Sequence, residues 1–238
     1  MFKKINAVII VTIIAVLSLC GCEKIERVWS EPLQYNEETA FYNESFATEI
    51  TEGAKELEQF SYELNADNEE FIDAWNEGHL RIGPDYIQYF NLADGKSFVI
   101  KAYIIDMALN PEYFEIYLYN EGEYKLLKSL NASDFCMTIS DGTYLYYSYD
   151  GILYRLTESG NEKLMLDAKY NAPDANKYYE KQQLPWDFVT SSISGEGDEI
   201  IINADYSYRT KDEEWAFVEK IIRLNADSLK ATVENIEH

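Results

Sequence analysis

Near Gly78 the spacing of apolar residues changes, and this change constrains the fold more than any other feature of the chain. Before it, Tyr42, Phe46, Ile50, Ala54, Leu57, Phe60 and Leu64 recur three and four residues apart, the spacing of one helix face. Asn36 is placed to cap that helix, with Glu37 and Glu38 at the positive end of its dipole. Gly53 interrupts it at a cost of roughly 1 kcal/mol relative to Ala. Asp67 and Glu70 have capping-box spacing for a second, short helix, which Gly78 ends. After Gly78 the period is two, which predicts strands joined by tight turns.

The predicted strands are Asp85–Leu92, Ser97–Ile105, Tyr113–Tyr119, Tyr124–Leu130, Asp134–Ile139, Thr143–Tyr149, Ile152–Thr157 and Lys163–Leu166. After a polar stretch, Trp186–Ser194, Glu199–Tyr208, Trp215–Asn225 and Lys230–Glu234 follow. Asp150-Gly151 is a hairpin signal of the type that needs positive φ. The alternate faces of Thr143–Tyr149 are Tyr144/Tyr146/Ser148 and Leu145/Tyr147/Tyr149, neither clearly polar. A strand covered on both faces is a central one, packed between sheets.

Asp134-Phe135 and Asp187-Phe188 each open a four-strand set, and each set reaches a similar third strand, Leu153–Thr157 or Ile221–Asn225. Four-strand units repeated about every 50 residues suggest propeller blades. The stretch Leu145–Leu156 resembles blades of uncharacterised bacterial β-propeller-like lipoproteins. Residues 80–238 hold about three such sets, fewer than the ~4 blades of a closed ring. The expected fold is therefore mainly β: antiparallel, blade-like meanders in an open or sandwich-like stack, with an N-terminal helical segment packed on it.

The N-terminus predicts where such a domain works. Lys3 and Lys4 precede an apolar run, Val8–Leu19, too short for the ~20 residues a membrane-crossing helix needs. Leu19-Cys20-Gly21-Cys22 follows and resembles a bacterial lipobox. That resemblance implies removal of residues 1–21 and attachment of acyl chains such as palmitate to Cys22, anchoring the chain outside the cell membrane. Cys20 is the competing acceptor, but bulky Leu19 would then occupy the cleavage position. An uncleaved anchor, or an ordinary signal cut elsewhere, is the alternative. Residues 22–36 then read as a polar tether, 37–78 as the helical segment and 79–238 as the β domain.

Composition excludes some functions. The net charge is −23, and losing Lys3 and Lys4 with the signal makes it two units more negative. Such a chain repels nucleic-acid phosphates. Cys22 and Cys136 would be the remaining cysteines; with Cys22 lipidated, no internal disulfide is available, and Cys136 in Phe135-Cys136-Met137 reads as a buried thiol. The acidic run Asp67–Glu70 lacks the glycine and spacing of a calcium loop. The two histidines, His79 and His238, form no catalytic or zinc motif, and no nucleophile elbow or phosphate loop occurs, so no cofactor or metal is expected.

Chemistry is then left to aromatics near predicted strand ends. Trp186, Tyr206, Tyr208 and Trp215 are candidate ligand-binding residues, able to stack on a sugar or anchor a peptide; core packing is the ordinary alternative role. The expected function is a membrane-anchored, non-catalytic binding or scaffolding module with an envelope protein, peptide or glycan as partner. The alternative is an envelope hydrolase using paired carboxylates, a pairing that is spatial and has no sequence signature here.

Overall fold

The structure, a computed structural model, describes residues 27–34, 44–64, 67, 69–76, 84–104, 112–132, 137–149, 152–167, 187–209 and 215–236. The described chain is mainly β, in three antiparallel sheets, none closed as a barrel. The first sheet orders β1 (Leu33–Gln34), β2 (Pro84–Asn91), β3 (Ser97–Ile104), β4 (Glu112–Asn120) and β5 (Glu123–Ala132) side by side. The second holds β6 (Met137–Ser140), β7 (Leu145–Tyr149), β8 (Ile152–Leu156) and β9 (Glu162–Asp167). The third holds β10 (Asp187–Glu196), β11 (Glu199–Arg209), β12 (Trp215–Asn225) and β13 (Ala231–Ile236). From β2 onward every sheet is a meander, because short turns allow only antiparallel neighbours. The β4–β5 turn shows the local cause: Glu121 and Gly122 both have positive φ, the two-residue hairpin geometry that matches strand twist.

The sheets stack face to face. The second lies in the middle, as the two apolar faces of Thr143–Tyr149 predict. Leu145, Tyr147 and Leu156 pack with Phe90, Phe98, Ile100, Phe114 and Ile116 of the first sheet. Tyr146, on the other face of β7, packs with Leu153, Ile193, Ile200, Ile202, Ile222 and Leu224 between the second and third sheets. Leu145, Tyr146 and Tyr147 are all fully buried. Reversing this alternation by a one-residue slip would exchange the two cores, so the register is strongly specified.

Short helices α1 (Glu44–Thr48), α2 (Glu52–Leu64) and α3 (Glu69–Asn76) precede the sheets. Phe46 and Ala47 of α1 cover Ile87, Tyr89, Val99 and Tyr117 on the outer face of the first sheet, and Ala54 of α2 packs on Tyr103 and Tyr113. The predicted helix start at residues 37–38 and the Gly78 cap lie outside the described residues. Where the sequence predicts continuity with a break at Gly53, the helix breaks at residues 49–51. The Thr51 hydroxyl accepts the Ala54 N–H at 3.3 Å and caps α2. Gly53 instead makes room: a Cβ there would overlap the Tyr113 hydroxyl.

Residues 27–34, read from sequence as part of a tether, run along the sheets as a strap. Trp29 lies over Gly195 of β10, where any Cβ would overlap its indole, and its Nε1–H donates to Gly197 O at 2.9 Å. Ser30 exchanges backbone hydrogen bonds with Ser140 of β6, at 2.8 and 3.1 Å. Leu33 and Gln34 then pair with Tyr89 and Gln88 of β2. The strap thus contacts the first full strand of each sheet in turn. These strands are neighbours: Thr138 of β6 donates from its hydroxyl to Gln88 of β2 at 3.2 Å, and β6 contacts β10. Pairing with the strap satisfies backbone groups on exposed strand edges.

Candidate functional site

Alternation along the meanders brings the β2–β3, β4–β5, β6–β7, β8–β9, β10–β11 and β12–β13 turns to one end of the stack, the tight-turn end, while β7 joins β8 at the other. At the tight-turn end Arg27, at the start of the strap, meets carboxylates from three turns. Its Nε donates to Asp141 at 3.2 Å, in the β6–β7 turn. One terminal nitrogen donates to Asp198 in the β10–β11 turn and to Asp227 in the β12–β13 turn, both at 3.3 Å, and the other to Asp227 at 2.5 Å. The planar fork of a guanidinium suits this many-sided contact; a lysine could not reproduce it. The hydrogen-bonded Asp227 carboxylate raises the Arg27 pKa above its already high ordinary value.

Asp141 is nearly buried and fully engaged. Besides Arg27 it accepts the Tyr146 hydroxyl at 2.8 Å and the N–H groups of Thr143 and Tyr144 at 3.0 and 2.8 Å. The tyrosine joins the clamp to the core, since its ring also packs on Trp29 at 5.5 Å. Chemically the arrangement fixes a chain segment. Its three carboxylates share one cation, and among the described residues no group of three or more His, Cys, Asp or Glu is placed to hold a metal ion.

A second polar cluster is buried beneath α1. Lys101 of β3 and Glu115 of β4 are directly opposed in the ladder, and each is 1% exposed. The Lys101 ammonium donates to Phe46 O at 2.6 Å and Glu49 O at 2.8 Å, capping the unpaired carbonyls at the end of α1. It also sits 4.5 Å from the centre of the Phe46 ring. Glu115 accepts the Tyr117 hydroxyl at 2.8 Å and the Tyr103 hydroxyl at 3.3 Å. Burial lowers the Lys101 pKa, against the opposing pull of the Glu115 charge. A lysine of lowered pKa can act as a nucleophile, but this one is covered and aimed at backbone carbonyls. Its role is to dock the helix.

The buried phenols give this architecture a pH signature. Burial, reinforced by neighbouring carboxylates, raises the pKa of Tyr103, Tyr117 and Tyr146, and burial raises that of Tyr113. A raised phenol pKa contributes stability that is complete below the ordinary value of 10.0 and is lost as the pH climbs toward the folded value. Lys101 acts with the opposite sign, its burial cost fading as the pH rises toward 10.5, but it is one group against four. Urea midpoints measured from neutral pH to about 11 should hold steady and then fall steeply above about 10. The Tyr103→Phe/Tyr117→Phe double variant should show a shallower alkaline fall. An unchanged fall in that variant would dissociate the effect from this cluster.

The residues predicted from sequence occupy other places. Cys22 and Trp186 lie outside the described residues. Tyr206, Tyr208 and Trp215 are placed by backbone alone. Tyr206 pairs with Val218, Tyr208 with Ala216 and Trp215 with Arg209, so Trp215 stands at the alternate position of the ladder from the two tyrosines. All three lie toward the end of the third sheet opposite Asp198 and Asp227, and β10 starts at that end, since Asp187 pairs with Ser207. Sequence reasoning missed Arg27, Trp29, Lys101 and Glu115. The available signals were a tryptophan inside a supposed spacer, and single charges centred in apolar runs, Phe98–Tyr103 and Tyr113–Tyr117.

Comparison with known proteins finds no matching family model, no matching curated protein and no matching solved structure.

Proposed function

We propose that the chain is a membrane-anchored envelope lipoprotein whose β domain is a non-catalytic binding or scaffolding module. In this reading Cys22 carries the acyl chains, and the three sheets are blades of an open, propeller-like fan with the helical segment 37–78 packed on the outermost blade. The observation that carries the proposal is the strap: Arg27, five residues after Cys22, is fastened by three carboxylates, so an anchor at Cys22 would hold the domain through a firm attachment. The buried charges of the two clusters support the same view, because each holds backbone or strap in place. The candidate partner surface is the end of the third sheet at Tyr206, Tyr208 and Trp215, with Trp186 directly preceding β10 in sequence; aromatics in an acidic field favour neutral or basic ligands, such as an envelope glycan or a peptide of an envelope protein.

Two measurements test this. Cys22→Ala should move the chain out of the membrane fraction; retention at the wild-type level means that something other than lipid anchors it. The soluble domain should retain a partner from purified envelope glycans or detergent-solubilised envelope proteins, and Trp215→Ala and Tyr208→Ala should weaken that retention about tenfold or more each, as for aromatic anchors. Folded variants with unchanged binding remove these residues from the site. Hydrolysis of an envelope glycan by the wild-type domain overturns the non-catalytic reading.

A further inference from the structure

We propose, on the premise that Cys22 is lipidated, that the tight-turn end of the stack lies against the bilayer, with the Arg27 clamp fixing that orientation and the opposite end facing outward. The β6–β7, β10–β11 and β12–β13 turns meet at Arg27. The β2–β3 turn lies at the same end, because the Ala93 N–H donates to Gly142 O at 3.1 Å. The β8–β9 turn joins them through Lys96, which pairs with Asp94 and, at 2.6 Å, with Glu158.

Chain length sets the distance. Five peptide steps separate Cys22 from Arg27. A fully extended chain spans at most ~3.6 Å per residue, so an anchor at Cys22 stays within ~18 Å of Arg27. An 11-residue strand such as β12 is about 36 Å long. The far end of the third sheet is therefore beyond the reach of the leash while Arg27 remains clamped. Val28, next to the clamp, is 73% exposed and places an apolar side chain where a lipid surface would meet it.

Charge does not produce this apposition. Asp94, Glu158, Asp198 and Asp227 make the tight-turn end acidic, and anionic headgroups would repel it. The fitting partner is a zwitterionic bilayer, reached through the acyl chains and held in register by the clamp. Tyr206, Tyr208 and Trp215 then belong to the outward end, where an envelope partner has access.

The test uses the full chain, expressed with its signal, purified in detergent and reconstituted into phosphatidylcholine vesicles containing an acceptor-labelled lipid. In a Cys136→Ala background, a donor dye is attached at Lys230→Cys, exposed beside the β12–β13 turn, or at Asn131→Cys, exposed near the opposite end of β5. Energy transfer to the lipid should be several-fold greater from position 230 than from position 131, and Arg27→Gln should reduce the contrast. If intact mass shows acyl chains on Cys22 but transfer is equal or reversed, the orientation is wrong while lipidation stands. If Cys22 carries no acyl chain, the lipoprotein reading fails and this orientation fails with it.

Discussion

Arg27→Ala should lower the unfolding free energy by about 2–3 kcal/mol, somewhat less than the ~3–5 kcal/mol typical of breaking a wholly buried pair. The discount follows from exposure: Asp141 is 3% exposed at the side chain, but Asp198 is 26% and Asp227 66%. Most of the loss comes from Asp141, whose buried charge keeps the Tyr146 hydroxyl and two N–H donors but loses its cation. Arg27→Lys should recover only part of the loss, since an ammonium cannot fork across three turns. Urea unfolding of the three proteins checks the order wild type, Lys, Ala. Equal midpoints would mean that the clamp contributes nothing to stability.

Lys101→Met should cost more, about 3–5 kcal/mol, despite conserving volume and apolar contact. The Phe46 and Glu49 carbonyls lose the ammonium, leaving Glu49 O with the Tyr103 hydroxyl at 3.4 Å, and Glu115 is left as a buried charge with hydroxyl donors alone. The diagnostic variant is the double change. Glu115→Gln keeps an acceptor for Tyr103 and Tyr117 while removing the uncompensated charge. Added to Lys101→Met, it should restore stability by on the order of 1 kcal/mol, although by itself it destabilises. Denaturant midpoints of the four members of this cycle decide the matter, and simple additivity would contradict a coupled buried pair. Loss of α1 docking should accompany Lys101→Met, because Phe46 and Ala47 cover the first sheet only while that helix end is capped.

The sheets were legible in sequence because local pattern determines them. The predicted strand Glu199–Tyr208 corresponds to β11 at Glu199–Arg209, and Trp215–Asn225 coincides with β12. The similar segments Leu153–Thr157 and Ile221–Asn225 fall on the third strands, β8 and β12, of their sheets. The central position of β7 followed from its two apolar faces. The Arg27 clamp was not legible, since its partners lie 114, 171 and 200 residues away and nothing local marks them. β1 is two residues long, too short to show a period, and exists because β2 offers an edge. Lys101 and Glu115 were visible as charges in apolar strands, but their pairing required the β3–β4 register. The aromatic candidates rested on position near strand ends alone, which does not distinguish a ligand platform from core.

The short leash, the clamp and the proposed orientation all depend on the strap. Amide hydrogen exchange of the folded chain reads it at Ser30, whose N–H donates to Ser140 O at 2.8 Å. The Ser30 amide should be protected by orders of magnitude relative to an unstructured peptide, as should its partner at Ser140, and Arg27→Gln should reduce protection at Ser30 far more than at Ile202 in the core. Exchange at Ser30 at the unstructured rate in the wild-type protein would rule out the strap and return residues 27–34 to the role of a free tether.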